Sequence, residues 1–147
     1  IATLCGGGDR YATHLLKNVR SSGSGALEYV YDAEPVERVE MSSENLSAVL
    51  AGMHDLATDG AVSQYFKDCI VDAAAKTGTV QTGDTKNNNG AFVCFAPYDD
   101  PQIAVAIVIE KGGSGAALAS TAVQVLNAYF SNTSASSAIT GENTLLG

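Results

Sequence analysis

Apolar residues recur at helical spacing in one segment of the first half of the chain. They form a single stripe between residues 43 and 57: Leu46, Val49, Leu50, Met53 and Leu56. Ser42 stands just before this stripe, where a hydroxyl can accept a hydrogen bond from the first helical turn. The pattern therefore predicts a helix over residues 43–57, with Ser42 as its N-cap and Gly60 beyond its end.

The second half of the chain has the pattern of strands joined by short connections. Residues 91–96 and 103–109 are apolar and rich in β-branched side chains, and a turn containing Pro97 and Pro101 separates them. Another strand, ending at Val80, precedes them across a polar loop. Short connections favour antiparallel neighbours, so the pattern predicts an antiparallel sheet.

The remaining segments are less regular. A final helix is predicted over about residues 116–130, and residues 131–147, rich in Ser, Thr and Asn, are expected to form a flexible polar tail. Two weaker strand candidates are His14–Arg20 and Leu27–Tyr31. Ile1–Cys5 is followed by three glycines and has the pattern of a final helical turn with its cap, so we expect that an earlier part of the domain is missing.

Composition and charge exclude several classes of function. The formal net charge of −8, without any cluster of Lys and Arg, argues against a nucleic-acid partner. The longest apolar run, Ile103–Ile109, is much too short to span a bilayer. No metal-ligand or disulfide spacing links the cysteines and histidines, and the cysteines are expected to be reduced packing residues. These residues are Cys5, Cys69, Cys94, His14 and His54.

The segment Lys76-Thr77-Gly78-Thr79 carries the most chemistry for its length. A lysine on a strand can hold a fixed positive charge in a cleft and lower the free energy of a developing negative charge. Two threonines at i and i+2 project to the same side of a strand, where their hydroxyls can hold a carboxylate. The glycine between them allows an extended substrate to approach the backbone closely.

Strand alternation places a condition on this site. Lys76 and Gly78 share one face of an ideal strand, while Thr77 and Thr79 share the other. All of them can border one cleft only if the strand is twisted or lies at the edge of the sheet. The motif alone also has a plainer interpretation, which is a surface strand with a solvated lysine.

The wider context of the tetrapeptide resembles a class B penicillin-binding transpeptidase domain. The first similar segment is Ala74-Ala-Lys-Thr-Gly-Thr-Val-Gln81, which is followed by a polar loop. Two apolar segments come next, Gly90-Ala-Phe-Val-Cys-Phe-Ala-Pro97 and Pro101-Gln-Ile-Ala-Val-Ala-Ile-Val-Ile-Glu110. A glycine-rich loop then leads into the last helix. Upstream, Ile1–Gly8 and His14–Lys17 are similar to that family's helix, glycine turn and strand. K-T-G is one of the marks of this superfamily.

The resemblance implies a fold, a reaction and a set of site residues. The implied fold is α+β, an antiparallel sheet with helices on both faces, with residues 1–130 as an incomplete, C-terminal portion of the domain. The implied reaction is cross-linking of peptidoglycan by D,D-transpeptidation, with a stem peptide or a β-lactam as the bound molecule and with no metal or organic cofactor. Lys76 would be catalytic, and Thr77, Gly78 and Thr79 would bind substrate, with the N–H of Thr79 in the oxyanion hole.

The sequence departs from the family pattern at the nucleophile. The residues three positions before the lysines are His14, Gln64, Ala73, Gly83 and Val108, so the S-x-x-K motif is absent from these residues. Ser43-Glu44-Asn45 matches S-x-N in form, but it falls in the first turn of the predicted amphipathic helix and is interpreted as a chance match. The missing nucleophile is therefore expected on an N-terminal half of the domain, in the same protein or on a separate chain.

Other functions of the same fold stay open at this point. A serine β-lactamase or a D,D-carboxypeptidase would share the K-T-G strand, and a β-lactam sensor or scaffold domain would keep the fold without the chemistry. The parent protein is expected to be a serine-type D,D-transpeptidase, whereas this chain alone lacks the nucleophile motif that covalent catalysis requires. By resemblance, the whole protein is expected outside the cytoplasm, anchored to the membrane through a segment that these residues do not include.

Overall fold

The computed structural model describes residues 1–81, 83 and 88–138. Its helices are α1 (Ala2–Cys5), α2 (Ser43–Thr58), α3 (Ser63–Phe66) and α4 (Ala119–Ala138), and a 3-10 helix (Gly115–Leu118) leads into α4. Its strands are β1 (Asp9–Tyr11), β2 (Asn18–Arg20), β3 (Leu27–Val30), β4 (Pro35–Arg38), β5 (Ala74–Val80), β6 (Asn89–Ala96) and β7 (Ile103–Ile109).

The central element is a three-stranded antiparallel sheet in the order β5-β6-β7. The prediction of strand β7 is confirmed to the residue, whereas β6 begins at Asn89 instead of Ala91. The additional residues, Asn89 and Gly90, pair with Val80 and Thr79 of β5. Asn and Gly are weak strand formers, so this extension depends on pairing with the neighbouring strands and not on local propensity.

One face of the sheet, here called the α4 face, packs against the C-terminal helix. Apolar side chains of the sheet and helix form one buried cluster there, whose main members are Phe92, Cys94, Ala96, Leu118, Ala122, Leu126 and Phe130. Burying such side chains contributes roughly 25 cal/mol for each Å² of apolar surface removed from water. This cluster is the larger of the two apolar cores.

The opposite face, here called the α2 face, packs against α1 and α2. A smaller buried cluster joins Met53 of α2 to Ala74 and Phe95 of the sheet, with Leu4 and Leu50 packed beside it. The predicted fold class is thereby confirmed, because an antiparallel sheet carries helices on both faces. The predicted helix over residues 43–57 is also confirmed, and the hydroxyl of Ser42 accepts a hydrogen bond of 3.2 Å from the N–H of Asn45.

Two small sheets precede α2, and the sequence pattern predicted them only in part. Strands β2 and β3 pair with each other, but β2 covers only Asn18–Arg20 of the predicted 14–20 segment. The pairing of β1 with β4 was not predicted. Two of its three residue pairs are ion pairs: Asp9 with Arg38 at 2.6 Å, and Arg10 with Glu37 at 2.7 Å. Charged cross-strand pairs leave no apolar alternation in the sequence.

Helix α4 is longer than its apolar stripe indicated. The stripe predicted an end near Phe130, whereas the helix continues to Ala138. Residues 131–138 of the predicted tail are therefore helical, and residues 139–147 lie outside the described residues. Ser and Thr are only modest helix formers, so the extension shows that a helix already nucleated by packing can continue through them.

The cysteines behave as packing residues, as expected. Cys5, Cys69 and Cys94 are all free thiols. Cys94 is buried on the α4 face, and loss of hydration, with a smaller contribution from Cys69, raises the pKa of its thiol to about 12. Cys94 is therefore a neutral, apolar side chain at physiological pH. Within the described part of the chain, none of the helices has the length and hydropathy required to cross a bilayer.

Replacing Leu126 with Ala should lower the free energy of unfolding by roughly 2–5 kcal/mol, because Leu126 is 0% exposed in the larger core and the substitution leaves a cavity. The neighbouring substitution Val125→Ala is the control, since Val125 is 41% exposed and should cost much less. Urea denaturation of both variants measures the difference. Equal losses for the two would contradict the assignment of the α4 face as the main core.

Candidate active site

The segment Lys76-Thr77-Gly78-Thr79 lies in the middle of strand β5. Its residues pair in order with Val93, Phe92, Ala91 and Gly90 of β6. Among the described residues, β5 pairs with β6 alone, so it forms one edge of the central sheet. The condition that strand alternation placed on the site is therefore met: both sides of an edge strand, and its outer backbone, can border the same cleft.

Lys76 is exposed on the α2 face of the sheet. Its ammonium group donates a hydrogen bond of 2.5 Å to the backbone carbonyl of Thr77, the next residue of the same strand. Ala74, two positions earlier on this face, is fully buried under α2, so β5 emerges from the core between Ala74 and Lys76. The lysine is thus placed at the point where the strand first becomes accessible.

The direction of the peptide groups of Gly78 can be inferred from their distances to the 3-10 helix. A methyl group placed on Gly115 would lie 2.3 Å from the carbonyl oxygen of Gly78 and 2.1 Å from that of Ala91. The carbonyl oxygens of Gly78 and Ala91 are this close to the same point only if both are directed into the gap between β5 and β6. Since peptide groups alternate along an antiparallel strand, the N–H and C=O groups of Thr77 and Thr79 face the open edge.

The threonine side chains lie on the α4 face, opposite Lys76. Thr77 is half-buried beside the larger core, and Thr79 is exposed. The cross-strand partner of Thr79 is Gly90, which has no side chain. A methyl group on Gly90 would lie 3.4 Å from the Ser114 carbonyl oxygen and 3.5 Å from Leu118, which are ordinary contact distances, so the 3-10 helix lies within contact range of this part of the sheet.

A polar cluster anchors the beginning of β5. The Nε2 atom of His54 on α2 lies 2.9 Å from both carboxylate oxygens of Asp72, just before the strand. The ring of Tyr98 stacks on His54 with 4.2 Å between centroids, and the N–H of Tyr98 donates to the Asp72 carbonyl at 3.0 Å. The sequence pattern predicts no role for these residues, since nothing in their spacing indicates that they meet.

The described residues hold no group of three or more potential metal-binding side chains. Ser43-Glu44-Asn45 lies in the first turn of α2, where the backbone N–H of Asn45 is bonded to the Ser42 cap. This S-x-N match therefore has a structural explanation as part of a helix start. The geometry brings Lys76, Thr77, Gly78 and Thr79 together at one sheet edge, without a serine nucleophile motif in the sequence.

Comparison with known proteins identifies the family. The sequence model of the penicillin binding protein transpeptidase domain matches residues 1–130. The chain belongs to the penicillin-binding protein transpeptidase family. Its relatives support the class B type, and the solved members share its fold. The expectation that came from the sequence resemblance is thus confirmed at the level of family and fold.

Individual relatives show how much of a penicillin-binding protein is present. Penicillin-binding protein 2A of Bacillus subtilis (strain 168) is 33% identical over 122 residues, which are 74% of this chain and 17% of that protein. The peptidoglycan D,D-transpeptidase MrdA of Escherichia coli (strain K12) is 33% identical over 92 residues, 52% of this chain and 14% of that protein. The chain therefore spans less than a fifth of these relatives.

A solved relative extends the similarity to three dimensions. Penicillin-binding protein A from M. tuberculosis, solved as an imipenem acyl-enzyme complex, superposes with a TM-score of 0.71 at 25% identity. The superposition covers 88% of this chain and 28% of that one. That protein forms a covalent acyl-enzyme with a β-lactam. The arrangement of helices and strands described above is therefore that of a penicillin-binding transpeptidase domain.

Replacing Lys76 with Met should change the free energy of unfolding by no more than about 0.5 kcal/mol, because the side chain is exposed and its one recorded hydrogen bond is to its own strand. Ala75→Met, one position earlier, is the matched control. Ala75 is 0% exposed under α4, so adding atoms there should cost roughly 1–3 kcal/mol. Chemical denaturation of both variants tests the assignment of the two faces, which a larger loss at Lys76 would contradict.

Proposed function

We propose that this chain supplies the K-T-G side of a peptidoglycan D,D-transpeptidase active site. In this proposal residues 1–130 are the C-terminal portion of the transpeptidase domain. The observation that carries the proposal is the accessible position of Lys76-Thr77-Gly78-Thr79 on edge strand β5, in a chain that belongs to the penicillin-binding transpeptidase family. The bound molecule is a peptidoglycan stem peptide or a β-lactam.

The open edge of β5 suits an extended peptide. A peptide that lies along the edge can form main-chain hydrogen bonds with the outward-facing groups of Thr77 and Thr79, as in other cases of strand addition. Gly78 has no side chain that would hold the peptide away from the strand. A stem peptide ending in D-Ala-D-Ala would bind in this way, with its terminal carboxylate near the threonine hydroxyls.

Lys76 supplies positive charge on the other side of the strand. The Lys76 side chain is exposed, and in the proposal it turns from the Thr77 carbonyl toward the substrate side of the cleft. A fixed cation near the reacting groups lowers the free energy of negative charge that develops there and supports proton movement between hydroxyls. The net charge of −8 makes such a local positive group the more important for an anionic ligand.

The N–H of Thr79 is proposed as one donor of an oxyanion hole. In the acylation step, a serine oxygen attacks the carbonyl carbon of the penultimate D-Ala, the carbonyl oxygen becomes an oxyanion, and the terminal D-Ala leaves with a proton. An amine then attacks the carbonyl carbon of the resulting ester, an amide bond forms, the ester bond to serine breaks, and the serine oxygen takes up the proton that the amine loses. A donor already aimed at the developing charge is worth on the order of 3 kcal/mol in the transition state.

The serine nucleophile is proposed to come from outside these 147 residues, on the same protein or on a companion chain. No serine of the sequence stands three positions before a lysine. The sheet supports a partner segment, because the α2 face of β7 is apolar yet exposed, with Val108 69% exposed. Among the described residues no strand covers the outer edge of β7. We further propose an extracytoplasmic location with a membrane anchor outside these residues.

The first test locates the acylated residue. The longer protein that contains these residues is incubated with a fluorescent penicillin, then denatured and digested, and the labelled peptide is identified by mass spectrometry. We expect the label on a serine outside residues 1–147, and no label when this chain is incubated alone. The nucleophile needs its base and oxyanion donors assembled around it, so half a site should not react.

Each other outcome of this experiment has a distinct meaning. A covalent adduct on a serine of this chain alone would contradict the split of the site between two segments. A longer protein that stays unlabelled would contradict the transpeptidase proposal and favour a scaffold domain. Rapid release of the label by hydrolysis would favour a β-lactamase of the same fold.

The threonine hydroxyls give a second prediction. Replacing Thr79 with Val keeps the shape of the side chain but removes its hydroxyl, so carboxylate binding should weaken. The second-order rate constant of penicillin acylation in the longer protein should fall about tenfold through a higher dissociation constant of the noncovalent complex, equivalent to one hydrogen bond to a charged group. Thr13→Val is the control, because Thr13 is exposed in the loop between β1 and β2. Stopped-flow measurement of the acylation rate compares them, and equal rates for Thr79→Val and wild type would exclude the assigned role.

A further inference from the structure

Gly115 lies against the backbone of the K-T-G strand. It begins the 3-10 helix and is buried on the α4 face. A methyl group at Gly115 would lie 2.1 Å from the Ala91 oxygen, 2.3 Å from the Gly78 oxygen and 2.9 Å from the Gly78 nitrogen. Gly78 and Ala91 are partners in the register of β5 and β6. Gly115 is therefore packed directly over the peptide groups that join the K-T-G strand to the sheet.

We propose that Gly115 is a positioning residue for the acyl-transfer site. Its close packing on Gly78 fixes the position of strand β5 and therefore the position of the Thr79 N–H. This inference rests on the proposed function. Gly115 touches no substrate in this proposal. It acts through the backbone of Gly78, whose carbonyl is bonded directly to the nitrogen of Thr79, the proposed oxyanion donor.

The 3-10 helix cannot easily move away to accommodate a larger residue. On one side, the N–H of Gly113 donates to the Asn88 carbonyl at 2.9 Å, and the N–H of Lys111 donates to the side chain of Asn89 at 2.9 Å. On the other side, Leu118 and Ala119 are buried in the larger core. The segment from Lys111 to Ala119 is thus held at both ends.

Strand β5 is the more compliant partner of this contact. Among the described residues, β5 is hydrogen-bonded to another strand on one side only, whereas β6 is paired on both sides. An added methyl group at Gly115 would overlap Gly78 and Ala91 by about 1 Å, judged by the usual spacing of nonbonded carbon and oxygen. Most of the resulting displacement should therefore appear in the K-T-G strand.

A displacement of this size should affect catalysis more than binding. A misplacement of about 1 Å in a site that depends on prealigned donors can lower a rate by on the order of 100-fold. The oxyanion donor acts in the transition state, whereas the carboxylate contacts are made already in the noncovalent complex. The rate constant of the acylation step should fall, while the dissociation constant of the noncovalent penicillin complex should change much less.

The experiment measures penicillin acylation in the longer protein that contains these residues. Stopped-flow fluorescence gives the dissociation constant of the noncovalent complex, the acylation rate constant and the fraction of protein that becomes labelled. For Gly115→Ala we expect the acylation rate constant to fall at least about tenfold, with the labelled fraction of folded protein unchanged. An unchanged rate constant in Gly115→Ala would overturn the proposal.

Two control variants separate positioning from loss of stability. Gly52→Ala adds the same methyl group to a glycine of α2 where the new carbon would have no atom within 4 Å beyond its chain neighbours and the backbone of its own helix, and this variant should acylate as wild type does. Leu126→Ala removes packing from the same core, so it should lower the melting temperature and the folded fraction but leave the rate constant of the folded molecules unaltered. A fall of the rate constant in Leu126→Ala equal to that in Gly115→Ala would also overturn the proposal.

A milder variant covers the case in which Gly115→Ala does not fold. The hydroxyl of Ser114 accepts a hydrogen bond of 3.2 Å from the N–H of Ala116 and caps the 3-10 helix. Ser114→Ala removes this cap and loosens the helix without adding an atom, so the position of Gly115 is held less tightly and the acylation rate constant should fall. Absence of any fall would overturn the proposal.

The wild-type protein separates failure of the proposed function from failure of this inference. If the wild-type protein is itself not acylated by penicillin, the proposed function has failed, whereas the role of Gly115 is judged only from variants of a protein that is acylated.

Discussion

The position of every functional group described above depends on the burial of strand β6. Phe92 and Phe95 are 1% and 0% exposed and point to opposite faces of the sheet, where each lies in one of the two apolar cores. Because β6 is paired on both sides and covered on both faces, it is the fixed element of the fold. The helices α2 and α4 pack against β6. Seven residue pairs with β6 fix the position of β5.

This arrangement leaves β5 both anchored and accessible. Its first residues, Ala74 and Ala75, are buried one on each face, and the hydrogen bond between His54 and Asp72 ties the start of the strand to α2. From Lys76 onward the strand emerges at an open edge. The proposed role of β5 needs this combination, since a donor can stabilise a developing charge only if its own position is fixed before the reaction. The apolar but exposed face of β7 shows that the same sheet still has surface available for a further segment.

Several features could not be read from the sequence, for identifiable physical reasons. Strands β1 and β4 are held by ion pairs between residues 29 and 27 positions apart, which leave no periodic apolar signal. The contact of His54 with Asp72 joins residues 18 positions apart, neither of which has a distinctive neighbourhood. The close packing of Gly115 on Gly78 and Ala91 is a property of backbone approach, and a glycine in a glycine-rich turn gives no indication which strand it will meet.

The elements with strong periodicity and the residues with reactive or ligand-binding side chains can be identified from the amino-acid sequence. The stripe of α2 and its Ser42 cap, the apolar strand β7, and the tetrapeptide Lys76–Thr79 are local patterns, because helical spacing, strand propensity and side-chain type are properties of neighbouring residues. The tertiary structure alone decided that β5 is an edge strand, that its outer peptide groups belong to Thr77 and Thr79, and that Gly115 packs on its inner side. Those outcomes depend on contacts between residues distant in sequence, whose partners are selected by the packing of the whole core.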